Sequence, residues 1–178
     1  MNPLKGLFYT IIGLTLAFLI VGYLLPEKRL IQRNIVISAP VTEVFQQINS
    51  AKSFNEWSPW AKLDPNMQFN YSGPESGKGS SMSWYSVNEA VGSGSWMITD
   101  VIENEHVGID LDFAGQGKAA SSFDLKSEGT GTEVTWGFVM DAGMNPMHRW
   151  FGLMMDSWVG ADYEKGLSDL KTLIESNN

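Results

Sequence analysis

The sequence contains no cysteine and only two histidines, His106 and His148, among its 178 residues. A disulfide framework, a thiolate metal site, a cysteine nucleophile and a histidine-rich metal cluster are therefore excluded. Charged residues make up only 18% of the chain, and none occurs in residues 7–25. No P-loop, HExxH or EF-hand pattern is present either. The sequence thus predicts no catalytic constellation, no metal site and no cofactor.

The formal charge of −8 is distributed unevenly along the chain. Residues 1–33 carry four basic residues and one acidic residue, a net charge of +3. Residues 34–178 carry 8 basic and 19 acidic residues, a net charge of −11. An acidic body repels phosphate backbones, so we expect no nucleic-acid partner.

The uncharged run LFYTIIGLTLAFLIVGYLL, residues 7–25, predicts one transmembrane helix. A hydrocarbon core of about 30 Å needs roughly 20 helical residues, and Tyr9 and Tyr23 lie where the two interfaces would be. The alternatives are a buried core helix, which is normally amphipathic, and a signal peptide, which has a shorter apolar core and a small-residue cleavage site. We therefore predict a membrane anchor at residues 1–28 and a separate domain at residues 29–178.

The basic residues next to this run indicate its orientation. Lys28, Arg29 and Arg33 follow the helix, whereas Lys5 and the α-amino group precede it. The positive-inside rule then predicts a domain in the cytoplasm. The same three residues could also contact anionic lipid headgroups, although setting the topology is their simpler role.

The domain shows a pattern typical of an α+β protein. Residues 29–40 predict a strand, residues 41–48 predict a helix, and Ser58-Pro59 predicts a turn that brings Trp57 and Trp60 close together. Six alternating segments then predict an antiparallel sheet with one buried and one wet face. The six segments are MQFNYS, SSMSWYSV, SGSWMITDVI, VGIDLDF, AASSFDL and TEVTWGFVM.

A long C-terminal helix is predicted from Asn145-Pro146, a favourable N-cap and first-turn pair. Gly160 weakens the middle of this helix, and Asp162 is a candidate cap for a second segment. The first part carries a series of bulky apolar residues at helical spacing. Its members are Met147, Trp150, Phe151, Met154, Met155 and Trp158.

Over roughly residues 30–175 the chain resembles the polyketide cyclase/dehydrase-like branch of the START/Bet v 1 superfamily, often called SRPBCC. The resemblance rests on the segments IVISAPVTEVFQQI, FNEWSPWAKLDPN, YSGPESGKGSSMSW, VGSGSWMITDVIENEHVGIDLDF, GTGTEVTWGFVMD and VGADYEKGLSDLKTLIE. It implies a helix-grip fold, in which a curved antiparallel sheet wraps around a long C-terminal helix and encloses an apolar cavity. Members bind lipids, sterols, polyketides or other hydrophobic molecules, and only some are enzymes. The anchor lies outside the family core.

Combined with this resemblance, the seven tryptophans predict a ligand cavity, because they fall in the three regions that would face one interior. The expected ligand is a hydrophobic small molecule or lipid. The sequence does not identify a protein partner. The predicted ligand-binding residues are Trp57 and Trp60 near the mouth, with Trp84, Trp96, Trp136, Phe138, Trp150, Met154 and Trp158 along the walls.

Two alternatives remain: an aromatase/cyclase-type enzyme and an interaction scaffold with a filled core. His106, in the acidic segment ENEHVG, is most simply a solvated loop residue. His148 could act as an acid or base, but nothing in its surroundings supports that role. Asp110 and Asp112 could form a carboxylate pair, although strand alternation alone explains them as a wet face. GPESGKG lacks the spacing of a phosphate loop and predicts a hairpin turn.

Overall fold

The structure is a computed structural model that describes residues 3–89, 91–115 and 117–176. Helix α1 (Pro3–Leu24) is followed by strand β1 (Lys28–Ile37) and by two short helices, α2 (Val41–Ile48) and α3 (Ala51–Trp57). A long helix, α4 (Pro146–Glu175), ends the fold. Between α3 and α4 lie a 3-10 turn (Trp60–Lys62) and the strands β2 (Gln68–Ser72), β3 (Ser81–Tyr85), β4 (Ser93–Ile102), β5 (His106–Asp112), β6 (Lys118–Glu128) and β7 (Gly131–Asp141).

The seven strands form one curved sheet in the order β1-β7-β6-β5-β4-β3-β2, and every neighbouring pair is antiparallel. The first strand therefore pairs with the last, while β2 to β7 follow one another as hairpins. A register shift between Ile98 and Asp100 interrupts β4, and such bulges bend a strand. The predicted strand within residues 29–40 and the six predicted strands that follow it are confirmed, and GPESGKG connects β2 and β3 as a hairpin.

Alternation along the strands separates a buried face from a wet face, as predicted. Ile109 is buried on β5 and Asp110 is exposed, while Trp136 and Phe138 are buried on β7. The inner face packs against α2, α3 and α4 in one core. At its centre the Phe54 ring contacts three tryptophan rings, with centroid distances of 4.9 Å to Trp57, 5.1 Å to Trp96 on β4 and 5.8 Å to Trp136 on β7. Helices α2 and α3 thus close one end of the sheet.

Helix α4 starts as predicted, since the Asn145 side chain accepts a hydrogen bond from the Met147 N–H at 2.9 Å and Pro146 is the first helical residue. The predicted long helix is confirmed, and the candidate second segment after Gly160 is wrong, because α4 continues unbroken to Glu175. Asp162 does not cap a second segment. Its carboxylate instead accepts a hydrogen bond from Trp60 Nε1.

Arg33 explains why a glycine lies in the middle of α4. Its Nε donates to Glu164 Oε1 at 2.6 Å and its Nη1 to Asp156 Oδ1 at 3.2 Å, so the guanidinium crosses the helix over Gly160. A Cβ on Gly160 would collide with that guanidinium. These two carboxylates raise the pKa of Arg33, the hydrogen bond to Glu164 being the larger cause. Arg33 is therefore engaged by α4 rather than being free for lipid headgroups.

Helix α1 projects from the domain and contacts it only near its C-terminal end. Residues Leu4–Leu24 are long and apolar enough to cross a membrane by length and composition, and only 6% of their most apolar stretch is buried. A core helix of a soluble protein would be mostly covered. This observation removes the core-helix alternative for α1.

Candidate ligand cavity

A cavity of about 640 Å³ lies between the inner face of the sheet and α4. Ligand sites in proteins commonly enclose about 300–1,000 Å³, so the core is not filled and the space is of ligand size. Six of the nine predicted ligand-binding residues line it. They are Trp60, Trp84, Trp96, Trp136, Phe138 and Trp158.

Strand alternation brings the aromatic residues of the sheet to one wall. Trp136 and Phe138 are two residues apart on β7, so both project inward. Trp96 projects from β4 in the same way and is buried. Trp84 on β3 lies across Gly94, where any Cβ would collide with its indole ring. The glycine thus allows this tryptophan to lie flat against the sheet at the cavity wall.

Three of the predicted residues do not line the cavity. Trp57 is only 1% exposed and packs inside the core, where its Nε1–H donates to the Gln47 carbonyl at 3.1 Å. Trp150 turns towards α1, and Met154 is exposed on the outer face of α4. Trp150 and Met154 miss the cavity because an amphipathic helix shows which residues are apolar but not which partner each one meets.

One buried polar cluster interrupts the apolar wall. The Ser121 hydroxyl donates to the Gly137 carbonyl at 2.8 Å, so its single proton is already used. Its oxygen then accepts from Trp136 Nε1 at 3.0 Å and from the Tyr163 hydroxyl at 3.1 Å. One serine oxygen therefore satisfies two large aromatic side chains, and all three residues line the cavity.

Tyr163 is held tightly in this cluster. Its ring stacks on Trp136 with centroids 3.8 Å apart and an interplanar angle of 14°. The side chain is 2% exposed, and this burial raises the pKa of Tyr163 far above its ordinary value near 10 because the phenolate would be desolvated. The phenol is therefore neutral at physiological pH.

Sequence reasoning missed Ser121, Tyr163 and Asp162 as cavity residues. Asp162 accepts a hydrogen bond from Trp60 Nε1 at 3.2 Å, which joins the 3-10 turn to α4 where both residues line the cavity. A signal for Ser121 was present, because it lies two residues before the inward-facing Phe123 on β6 and so shares its face. No comparable signal identified Asp162.

The candidate acid–base residues are dispersed. His106 is not a solvated loop residue, because it begins β5 and its Nδ1 lies 2.6 Å from Asp124 Oδ1 on β6. Asp110 and Asp112 lie outside the cavity, on the outward face of β5 as predicted. His148 does line the cavity, near the start of α4. In the described ranges, no three His, Asp or Glu side chains are grouped so that they could hold a metal ion.

Comparisons with known proteins agree with this architecture. Similar solved structures include protein MLL2253 from Mesorhizobium loti (15% identity, TM-score 0.58, 84% of this chain and 99% of that one). Others are the Aha1 dimer from Colwellia psychrerythraea (19%, 0.55, 83% and 96%) and protein CV1439 from Chromobacterium violaceum (14%, 0.55, 82% and 96%). At these identities they show the fold alone. No curated protein matches the chain.

The family model described as "Polyketide cyclase / dehydrase and lipid transport" matches residues 29–175, which is most of the chain. The match begins where α1 has ended and includes every strand and helix that surrounds the cavity. It agrees with the helix-grip architecture of a curved antiparallel sheet around a long C-terminal helix. The chain therefore belongs to the polyketide cyclase/dehydrase and lipid transport family, within the START/Bet v 1-like superfamily.

Proposed function

We propose that this protein is a membrane-tethered binding domain that holds a hydrophobic small molecule or lipid between its curved sheet and α4. The observation that carries the proposal is the cavity of about 640 Å³ with aromatic walls. Apolar surface that is removed from water contributes about 25 cal/mol per Å², so such walls favour a largely apolar guest. Each buried methylene of a guest would contribute about 0.8 kcal/mol.

The polar cluster adds one selective feature to this apolar site. In this proposal the Tyr163 hydroxyl donates its hydrogen bond to Ser121, and its oxygen can accept a hydrogen bond from a ligand. We therefore expect an apolar ligand with a hydroxyl or amide donor near one end. A ligand without such a donor would forgo this hydrogen bond, which is typically worth about 0.5–1.5 kcal/mol.

Tethering is supported by the exposure of α1 and by its attachment to the domain. In this proposal residues 1–28 are a retained anchor, residues 29–178 are the binding domain, and the domain faces the cytoplasm. The buried side chain of Arg149 on α4 binds the C-terminal carbonyls of α1, a contact that a cleaved leader would not need. A reporter fused after Asn178 tests the orientation, since alkaline phosphatase activity there would refute a cytoplasmic domain.

Neighbouring alanines on β6 allow a matched test of the cavity. Ala119 lines the cavity, whereas Ala120 is exposed on the opposite face of the same strand. Ala119→Phe should fill part of the site, and Ala120→Phe should leave it open. Full-length protein is purified in detergent, and retained small molecules are measured by native mass spectrometry after the micelle has been stripped.

We expect wild type and the Ala120→Phe variant to keep a bound hydrophobic mass that the Ala119→Phe variant loses. The amount of lipid held around α1 would be equal in both variants, so a difference in bound mass between them reports on the cavity. Equal retention in the two variants, or no bound mass in wild type, would contradict the proposal. The absence of a bound mass in wild type would favour the interaction scaffold.

An aromatase/cyclase-type enzyme is the second candidate, and the presence of His148 at the cavity favours it. Asp110 lies on the outer face of the sheet and cannot touch a ligand inside. The enzyme hypothesis therefore predicts turnover of a polyketide-like substrate that His148→Gln abolishes and Asp110→Asn leaves intact. Ligand binding without turnover would exclude the enzyme hypothesis and support only the binding function.

A further inference from the structure

The first turns of α4 are attached to the last two turns of α1. The Trp150 indole stacks on the Phe18 ring, with centroids 4.9 Å apart and planes 8° apart, and its Nε1–H donates to the Phe18 carbonyl at 3.1 Å. A Cβ on Gly22 would lie 2.8 Å from Pro146 Cβ and 3.0 Å from Trp150 Nε1. The two helices therefore touch through a glycine, and α4 begins beside the apolar run.

Arg149 fixes this junction from the other side. Its guanidinium is buried and donates to the carbonyls of Tyr23 at 2.7 Å, Leu25 at 3.0 Å and Gly143 at 2.9 Å, and to the Glu27 carboxylate at 2.7 Å. The last carbonyls of a helix lack intrahelical partners and carry partial negative charge, so a cation stabilises them. The position of α4 relative to the end of α1 is thereby defined by directional bonds.

Next to this junction α4 presents an exposed apolar stripe, made of Met147, Phe151, Met154 and Trp158. The four side chains recur at i, i+4, i+7 and i+11 and therefore share one face of the helix. They are 46–56% exposed, and the Phe151 and Trp158 rings contact each other at 5.5 Å. The charged Asp156 lies on the opposite side, where it pairs with Arg33. The stripe contains no charge.

The depth of the junction along α1 identifies what covers this stripe. Phe18 lies six residues before Leu24, which is about 9 Å along a helix axis. Helices that lie in a membrane surface bury their apolar face about 5–10 Å into the boundary between headgroups and acyl chains. If α1 spans the bilayer, Trp150, which stacks on Phe18, lies at that depth, and the stripe continues along α4 from there. Tryptophan is itself enriched at this interface.

We infer that the apolar stripe of α4 is embedded in the bilayer interface beside α1, so that the domain contacts the membrane through two helices in a fixed orientation. The inference rests on the proposed membrane tether. Phe151 and Trp158 belong both to the stripe and to the cavity wall. The cavity would therefore open towards lipid rather than towards water.

The absence of cysteine from the chain allows a direct test with single spin labels. Three full-length variants are reconstituted in liposomes of phosphatidylethanolamine and phosphatidylglycerol: Met154→Cys in the stripe, Leu14→Cys in α1 and Ser168→Cys on an exposed face of the C-terminal half of α4. Collision of each nitroxide with oxygen, which concentrates in lipid, is compared with collision with a water-soluble nickel chelate. Near-UV circular dichroism checks that each labelled variant is folded.

We expect labels at Leu14 and Met154 to collide preferentially with oxygen and the label at Ser168 to collide preferentially with the nickel chelate. A lipid-exposed Leu14 label with a water-exposed Met154 label would overturn the inference and leave the tether intact. A water-exposed Leu14 label would overturn the tether, and the inference with it. A lipid-exposed Ser168 label would also overturn the inference, since the contact would then not be confined to the stripe.

Discussion

Replacing Ser121 with alanine is expected to cost more folding stability than replacing its larger neighbour Tyr163 with phenylalanine. The reason is the direction of the hydrogen bonds. The Ser121 oxygen accepts from both Trp136 Nε1 and the Tyr163 hydroxyl, while its own proton goes to the Gly137 carbonyl. Ser121→Ala leaves two buried donors without an acceptor, whereas Tyr163→Phe removes a donor together with its proton.

The two costs differ in magnitude. An orphaned buried donor costs about 1–3 kcal/mol, so Ser121→Ala should lower the free energy of unfolding by about 2–6 kcal/mol. Because Trp136 and Tyr163 line the cavity, a water molecule can reach them, and we expect the lower half of that range. Tyr163→Phe loses a single bond that leaves a still-bonded serine, which costs about 0.5–1.5 kcal/mol.

Urea unfolding of the full-length chain in a fixed detergent, followed by tryptophan fluorescence, measures both variants. The double variant Ser121→Ala/Tyr163→Phe supplies the internal control. It should be more stable than Ser121→Ala alone, because it removes one of the two orphaned donors. A Tyr163→Phe variant that is destabilised as much as Ser121→Ala would refute the assigned directions.

Three further predictions concern charge and backbone. Burial raises the pKa of Tyr163 above 10, so this residue should lower the free energy of unfolding above pH 10 by up to about 1.4 kcal/mol per pH unit. In urea unfolding at a series of pH values Tyr163→Phe should reduce the alkaline slope, to which Tyr71 also contributes, and an unchanged slope would contradict the role of Tyr163. The hydrogen bond from Lys62 lowers the pKa of Asp169, so the ionised carboxylate contributes to folding stability above pH 3.8, and this contribution is lost as the pH falls through the lowered pKa. Asp169→Asn should therefore flatten the loss of stability at acid pH in the same experiment, and an unaltered loss would count against the Lys62–Asp169 pair. Gly160→Ala should gain less than the about 1 kcal/mol by which alanine favours a helix, because its Cβ displaces the Arg33 guanidinium from its two ion pairs. In thermal unfolding the same substitution should therefore raise the melting temperature more in an Arg33→Ala background than in wild type, and equal effects in the two backgrounds would exclude the clash.

The sheet could be predicted from the sequence because its information is local. Side chains alternate every two residues along a strand, so Ile109 and Asp110 already indicate which face is buried. The same rule brings Trp136 and Phe138 into the cavity without any knowledge of α4. Ser121 falls under this rule as well and could have been identified from Phe123. A polar residue on an inward face is informative because it needs a partner.

The helical side of the site was less predictable, because a helix presents several faces and its sequence does not identify the partner of each. Trp150 and Met154 belong to the same apolar stretch as Trp158, yet only Trp158 reaches the cavity. Trp57 is similar, since its ring direction depends on where α3 meets the sheet. Gly160 was interpreted as a weak point of the helix because propensity is a local quantity. Its actual role depends on Arg33, which is 127 positions away in sequence.

One residue in that helical stretch did carry an unused signal. Arg149 lies close to Met147, Trp150 and Phe151 near the start of α4, and a buried guanidinium needs several acceptors. The apolar helix at the N-terminus ends before Pro26 without a glycine cap, so its last carbonyls need donors. An unexplained cation in one apolar helix and uncapped carbonyls in another are complementary requirements. Matching such requirements makes Arg149 a candidate partner for the end of α1, whereas the direction of Trp150 depends on how the two helices pack.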